Sequence, residues 1–147
     1  MLALLGKAVL GIGVVLALLL AGASLYYIYI VNPKVVVELQ TQPTGQRARR
    51  VMLLTLPSGS TIPVNYLKEG NIVYVGADGR WWRDFRDPGE DVEILVQGVP
   101  LKGHAIAITN DRKYRDEVFK RLRPTAPTWF PEWAKGVLIE ITVKQRQ

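Results

Sequence analysis

Residues 61–79 read TIPVNYLKEGNIVYVGADG, and this stretch decides the fold class. Residues 61–67 alternate loosely between apolar and polar side chains, and residues 72–75 form a short apolar run. The connection between them, KEGN at 68–71, contains the glycine and asparagine that tight turns favour. We therefore predict a hairpin of two antiparallel strands, followed by a second turn at GADG, residues 76–79.

Further strand signals lie on both sides of this hairpin. They are short apolar or β-branched runs bounded by turn residues, at 51–56, 92–96, 101–108 and 137–143. Helical spacing relates Tyr114, Val118 and Leu122, with Asn110 placed to cap the helix and Pro124 placed to stop it. We predict a mainly β fold, a small barrel of about six antiparallel strands with one or two short helices.

An uncharged apolar stretch, residues 8–31, precedes the strands. Lys7 is the only charged side chain before Lys34, and roughly 20 apolar residues suffice to cross a bilayer. Asn32-Pro33 is predicted to end this helix, because proline lacks an N–H and restrains the residue before it. We expect a transmembrane anchor at 1–32, a juxtamembrane linker at 33–50 and the barrel domain at 51–147.

A cleaved signal peptide is the competing interpretation of the N-terminus. The sequence AGA at 21–23 resembles a cleavage site, but the apolar run continues beyond it to residue 31. Tyr26, Tyr27 and Tyr29 lie at the far end of the run, where aromatic rings favour the headgroup level. These features favour an uncleaved single-pass anchor.

The spacing of small residues and of charges suggests partners for this anchor. Gly13, Ala17 and Ala21 form a ridge that could admit a second transmembrane helix, from another copy or another subunit, although such residues are common in membrane helices anyway. The basic cluster at 47–50, with Lys34, favours a cytoplasmic C-terminal domain and could contact anionic lipid. The cluster is equally well explained as a solvated linker that precedes a strand.

Composition excludes several kinds of chemistry. The 147 residues include no cysteine and one histidine, so thiolate metal sites, cysteine nucleophiles and histidine-based triads have no support, and we predict no metal site. The net charge of +6 together with tryptophans would suit nucleic acid, but no RNA-binding motif is present and the basic domain follows a membrane segment. We expect no nucleic-acid partner and identify no catalytic residue.

The stretch GADGRWWRDF, residues 76–85, is the first candidate site. A glycine-rich turn exposes backbone N–H groups, and Arg80 and Arg83 add fixed positive charge that suits a phosphate. Trp82 could stack on a flat heterocycle. The structural alternative is one helical turn in which Trp81 and Phe85, four residues apart, close the end of the barrel.

A second aromatic cluster comprises Trp129, Phe130 and Trp133. Three large rings near a chain end could cover a pocket, contact a membrane or cap the core. His104 lies on a strand pattern and is interpreted as structural. The acidic residues of segment 90–93 are interpreted as a solvated rim.

The order of these motifs resembles that of the deazaflavin-dependent nitroreductase and quinone-reductase family. Members of this family are split β-barrels related to pyridoxamine-phosphate-oxidase-like flavoproteins. The hairpin LKEGNIVYVGADG (67–79) is similar to that family's L-x-x-G-x-x-x-x-V-x-S-x-G motif. WWRDF (81–85), DP at 87–88, VEI at 92–94 and KGHA at 102–105 follow in the family's order, and the last helix and strand are also similar.

The resemblance implies a deazaflavin or FMN cofactor held through its phosphates by the first loop and by the backbone after the third strand. It thereby adds Ser58, Ser60 and Gly76 to Arg80, Trp82 and Arg83 as cofactor-binding candidates. It also implies hydride transfer to a quinone or nitroaromatic, beside the aromatic cluster formed by Trp129, Phe130 and Trp133.

Two functional hypotheses follow. The first is a membrane-anchored flavin- or deazaflavin-dependent reductase acting on a quinone or nitroaromatic acceptor. The second is a non-catalytic single-span accessory subunit, whose degenerate barrel docks on a larger membrane complex or pairs with a second copy. The loop at 55–61 lacks the family's basic residues, and this absence, with the small-residue ridge, favours the second; the resemblance of the barrel motifs, a more specific signal, favours the first.

Overall fold

The computed structural model describes residues 2–127 and 129–144; the side chains of residues 2–6, 8 and 133 lie outside that description. The chain divides into two compact units, Met1–Val37 and Glu38–Gln147. Each is described by itself below.

The N-terminal unit is helical, and its helical path does not end at Asn32-Pro33. Helix α1, Leu2–Tyr26, leads into a π-helical turn, Tyr27–Val31, and then into α2, Asn32–Thr41. The prediction of a helix end was therefore wrong. Proline removes an i→i−4 bond and crowds the carbonyl four residues earlier. In the wider π turn the N–H of Asn32 donates to the carbonyl of Tyr27, five residues back, and this local widening lets the chain pass the proline as a helix.

The apolar part of this helical path has the length and composition needed to cross a membrane. The span Val9–Thr41 has 33 residues. An 18-residue stretch within it has a mean hydropathy of 2.3, and none of that stretch is buried. Gly13, Ala17 and Ala21 are exposed as well.

The second unit is a closed antiparallel barrel. Its strands are β1 (Val51–Thr55), β2 (Thr61–Glu69), β3 (Ile72–Ala77), β4 (Glu90–Val96), β5 (Val99–Ile108) and β6 (Val137–Val143). They close in the order β1-β2-β3-β6-β5-β4, and every pairing is antiparallel. The prediction of a mainly β, six-stranded antiparallel barrel is confirmed.

Every second side chain of a strand points into the barrel interior, because successive residues of a strand point to opposite faces. The interior is built by fully or nearly fully buried residues that include Met52, Leu54, Val73, Val75, Ile139 and Ile141. The opposite face of β3 and β6 carries Tyr74 and Leu138, which pack with Val118 of helix α3, Arg112–Leu122.

Helix α3 begins one residue later than predicted. The carboxylate of Asp111 accepts the N–H of Tyr114 at 2.9 Å, so Asp111 is the N-cap. Asn110 instead accepts a hydrogen bond from the hydroxyl of Thr109 at 3.3 Å. Both residue types cap helices well, and the three-residue spacing to Tyr114 selects Asp111.

Candidate functional site

A short 3-10 helix, Arg80–Phe85, follows β3 and closes one end of the barrel; we call it the tryptophan helix. Phe85 is fully buried in the barrel core, and Trp81 meets its ring edge-to-face at a centroid distance of 6.1 Å. Trp81 and Trp82 pack against the same core. The i, i+4 spacing of Trp81 and Phe85 therefore has the packing role that the structural alternative predicts.

The outer surface of the tryptophan helix is rich in arginine. The guanidinium carbons of Arg86 and Arg83 lie 5.0 and 5.9 Å from the centroid of the Trp82 ring, a cation–π arrangement. Arg80, Arg83 and Arg86 are exposed, and none forms an ion pair within the described ranges 2–127 and 129–144. Two guanidinium groups without a carboxylate partner in the described chain thus lie beside Trp82, and Arg80, also without one, begins the same helix.

Ser58 and Ser60 lie in the turn between β1 and β2. Strand register places this turn at the same barrel end as the tryptophan helix, because β2 begins where β3 ends. Both serines are exposed, and the hydroxyl of Ser58 accepts the N–H of Ser60 at 3.5 Å. In the part of the chain that the structure describes, no hydrogen bond joins either serine to Arg80 or Arg83.

Arg123 covers Gly76 on β3, and sequence reasoning did not connect these two residues. The Arg123 guanidinium donates to the Gly76 carbonyl at 3.1 Å and to both carboxylate oxygens of Asp78 at 2.8 and 2.9 Å. It also lies 5.2 Å from the centroid of the Phe119 ring. A Cβ on Gly76 would be 2.4 Å from an Arg123 nitrogen, so a side chain at this position would displace the Arg123 guanidinium.

The second aromatic cluster borders a groove between α3 and the segment that follows it. Trp129 and Phe130 meet edge-to-face at 5.1 Å, and their residues are 77% and 37% exposed. Phe130 lines the groove, which has a volume of about 230 Å³; Trp133 lies in the 3-10 helix Glu132–Ala134, and its side chain falls outside the described part of the chain. We call this the C-terminal groove, lined by Asp116, Phe119, Lys120, Arg123, Ala126, Pro127, Phe130, Ala134 and Lys135.

Four charged residues join the wall of this groove to α3. Arg115 donates to Asp116 at 2.8 Å and to Glu132 at 2.7 Å, while Lys135 contacts Glu132 at 2.5 Å and Asp116 at 3.4 Å. Hydrogen bonds from Lys135 and then Arg115 lower the pKa of Glu132 to about 2. The hydrogen bond to Glu132 likewise raises the pKa of Lys135. The network holds residues 132–135 against α3.

His104 lies on β5 in a polar cluster at the barrel surface. Its Nε2 is 2.8 Å from the carbonyl oxygen of Pro88, and its Nδ1 is 3.0 Å from Asp91. These two acceptors, Pro88 first, raise the pKa of His104. Hydrogen bonds from Lys144 and His104 lower the pKa of Asp91. Within residues 2–127 and 129–144, no group of three metal-ligating side chains occurs.

Structural comparison identifies the type of barrel. A candidate pyridoxamine 5'-phosphate oxidase from Listeria innocua superposes with a TM-score of 0.54 at 15% identity, covering 77% of this chain and 93% of that one. The fold is a split barrel. An FAD-binding protein from Mesorhizobium loti gives a TM-score of 0.43 at 18% identity, with coverages of 74% and 89%. An FMN-binding protein from Syntrophomonas wolfei gives 0.39 at 12%, with coverages of 86% and 94%.

At these identities the likeness concerns the fold. No protein-family profile matches the chain, and no curated protein matches it. The pyridoxamine-phosphate-oxidase-like split barrel that the sequence motifs suggest is therefore borne out at the level of architecture, while the nitroreductase family and the deazaflavin remain predictions.

The side chains on the tryptophan helix have the chemistry that a phosphate-bearing cofactor needs. Guanidinium groups form strong charge-assisted bonds to phosphate, and Arg80 and Arg83 have no carboxylate in the described chain to compete for them. At the end of β3, by contrast, the Arg123 guanidinium already donates to the Gly76 carbonyl and to the Asp78 carboxylate, and that carboxylate adds negative charge there. The residues that fit a cofactor phosphate are therefore those of the tryptophan helix.

Proposed function

We propose that this protein is a membrane-anchored reductase that uses a flavin or deazaflavin and passes hydride to a quinone or nitroaromatic acceptor. The observation that carries the proposal is the set of exposed arginines on and beside the tryptophan helix, Arg80, Arg83 and Arg86, which form no ion pair within the described chain. Arg80 and Arg83 would hold the cofactor phosphate, with Ser58 and Ser60 from the turn at the same barrel end. The bound cofactor would supply the hydride, and Phe130 and the exposed Trp129 would line the acceptor mouth with Trp133.

The apolar helix gives this proposal its cellular setting. A helix of bilayer length would keep the barrel beside the lipid phase in which quinones dissolve. The basic residues at 47–50 favour a cytoplasmic barrel by the positive-inside tendency.

The test is a titration of the full-length protein in detergent with FMN and with deazaflavin, followed by absorbance and fluorescence. Binding of either one is expected, and the double variant Arg80→Ala/Arg83→Ala should weaken it at least fivefold because charge-assisted phosphate bonds are lost. Arg50→Ala is the matched control, since Arg50 is exposed and precedes β1 at the opposite barrel end. The proposal would be refuted if neither cofactor bound at high micromolar concentration. It would also be refuted if Arg50→Ala weakened the affinity as much as Arg80→Ala/Arg83→Ala.

A second candidate function is favoured by the position of Arg123. Its guanidinium covers Gly76, one of the residues that the resemblance assigns to cofactor binding. A barrel that has filled this place with its own side chain suits an accessory subunit. Gly13, Ala17 and Ala21 would then face a helix of a second copy or of a larger membrane complex. Copurification of a stoichiometric membrane partner, together with no cofactor binding, would favour this candidate.

A further inference from the structure

The C-terminal groove combines an apolar lining with a positively charged rim. Phe119 and Phe130 provide aromatic surface, whereas Lys120, Arg123 and Lys135 provide positive charge. Asp116 is the one acidic residue among the described lining residues. Its two carboxylate oxygens already accept hydrogen bonds, one from Arg115 and one from Lys135. The groove therefore offers little negative charge of its own to a ligand.

Lys120 is the basic residue of the groove with unused bonding capacity. Arg123 is held by Asp78, and Lys135 is held by Glu132 and Asp116. Lys120 is exposed and forms no ion pair or hydrogen bond with the described residues 2–127 and 129–144. An ammonium group in this position suits a ligand anion.

An exposed aromatic pair continues the apolar surface beyond the groove. Trp129 is 77% exposed and stands against Phe130, whose ring lines the groove. An exposed tryptophan beside cations is the combination found at the headgroup level of a bilayer, where the ring has one apolar and one polar environment. Charge and aromatic exposure thus point to the same kind of surface.

We propose that the C-terminal groove docks on an anionic phospholipid bilayer. Lys120 supplies the free positive charge for the lipid phosphate, and Trp129 and Phe130 enter the interfacial region beside it. This docking is independent of any cofactor at the tryptophan helix. It would bring α3 and the segment after it to the membrane surface.

The test measures the depth of Trp129 in the full-length protein reconstituted in lipid nanodiscs. Two kinds of disc are compared, brominated phosphatidylcholine alone and the same lipid mixed with brominated phosphatidylglycerol. The difference in fluorescence quenching between the natural chain and Trp129→Phe isolates the Trp129 signal from the other tryptophans. We expect this difference to be clearly larger in the anionic discs.

Charge variants test the role of the groove. Lys120→Gln should reduce the ratio of docked to undocked barrel about fivefold in anionic discs, corresponding to about 1 kcal/mol for a basic residue near such a surface. Lys113→Gln is the matched control, an exposed lysine on the same helix that does not line the groove. Equal Trp129 quenching in the two discs, or equal effects of the two lysine variants, would overturn the proposal.

Discussion

The single histidine of the chain gives a sharp test of the barrel surface. Both ring nitrogens of His104 face acceptors, the Pro88 carbonyl at 2.8 Å and the Asp91 carboxylate at 3.0 Å. Only the imidazolium can donate to both at once. Lys144, which contacts Asp91 at 2.5 Å, opposes the histidine charge. The pKa of His104 is therefore raised above its ordinary value of 6.5.

The direction of the pKa shift sets the pH window. A pKa that is higher in the folded chain contributes stability that is complete below the unfolded value near 6.5 and is lost as pH rises through the folded value. The His104 side chain is 45% exposed, so solvent screens the interaction. We expect its contribution to the free energy of unfolding to stay within about 0.2–1 kcal/mol, the range measured for exposed charge pairs.

Nuclear magnetic resonance of the histidine ring can follow this titration without assignment, because the chain has one histidine. Asp91→Asn should lower the pKa of His104, and Lys144→Met should raise it, since one variant removes an attracting and the other a repelling charge. The stability difference between the natural chain and His104→Gln should shrink as pH rises above 6.5. An unshifted pKa in Asp91→Asn, or a lowered one in Lys144→Met, would refute this account.

Three further predictions concern the free energy of unfolding, measured by denaturant titration in detergent. Phe85→Ala should cost about 3–5 kcal/mol, because the ring is fully buried; a loss below 1 kcal/mol would contradict its role in closing the barrel. Gly136→Ala should cost more than Gly59→Ala: both have positive φ, but a Cβ on Gly136 would lie 2.8 Å from a backbone carbonyl, whereas one on Gly59 meets open space. Arg123→Met should cost about 1 kcal/mol by leaving the Asp78 carboxylate without its bidentate partner, and no loss would mean that the pair is screened out.

The strands could be predicted because their signals are local. In β6, Val137–Val143, the core positions Ile139 and Ile141 alternate with outward-facing residues, and turn residues bound each run. The extra length of β4 at residues 90–91 was missed, because exposed acidic residues give no apolar signal.

The N-terminal helix shows where a local rule is overridden. Pro33 normally ends a helix, and the β-branched run at 35–37 resembles a strand. The π turn Tyr27–Val31 accommodates the proline, and the helix continues to Thr41. Nothing in the composition of residues 27–31 distinguishes a π turn from an α turn, so the sequence carried no signal for it.

Charge pairing is the part of the candidate site that sequence could not supply. In the sequence, Arg123 is one of the cations at the end of α3, where the helix dipole favours positive charge. Its partners, Gly76 and Asp78, are 45 or more residues away and are brought to it by the packing of α3 on β3. The sequence predicts a turn at 76–79, whereas β3 extends to Ala77 and includes Gly76; a glycine inside a strand often marks the close approach of another group.

The arginines of this barrel end therefore separate into two kinds. Arg123 is committed to Asp78 through a bidentate ion pair, so a phosphate that bound this guanidinium would have to compete with the Asp78 carboxylate. Arg80 and Arg83 have no such partner within the described chain, and a phosphate would meet them without that cost. If the cofactor proposal holds, we expect its phosphate to be bound by the tryptophan helix, because Arg123 is held by Asp78 whereas Arg80 and Arg83 form no ion pair in the described chain.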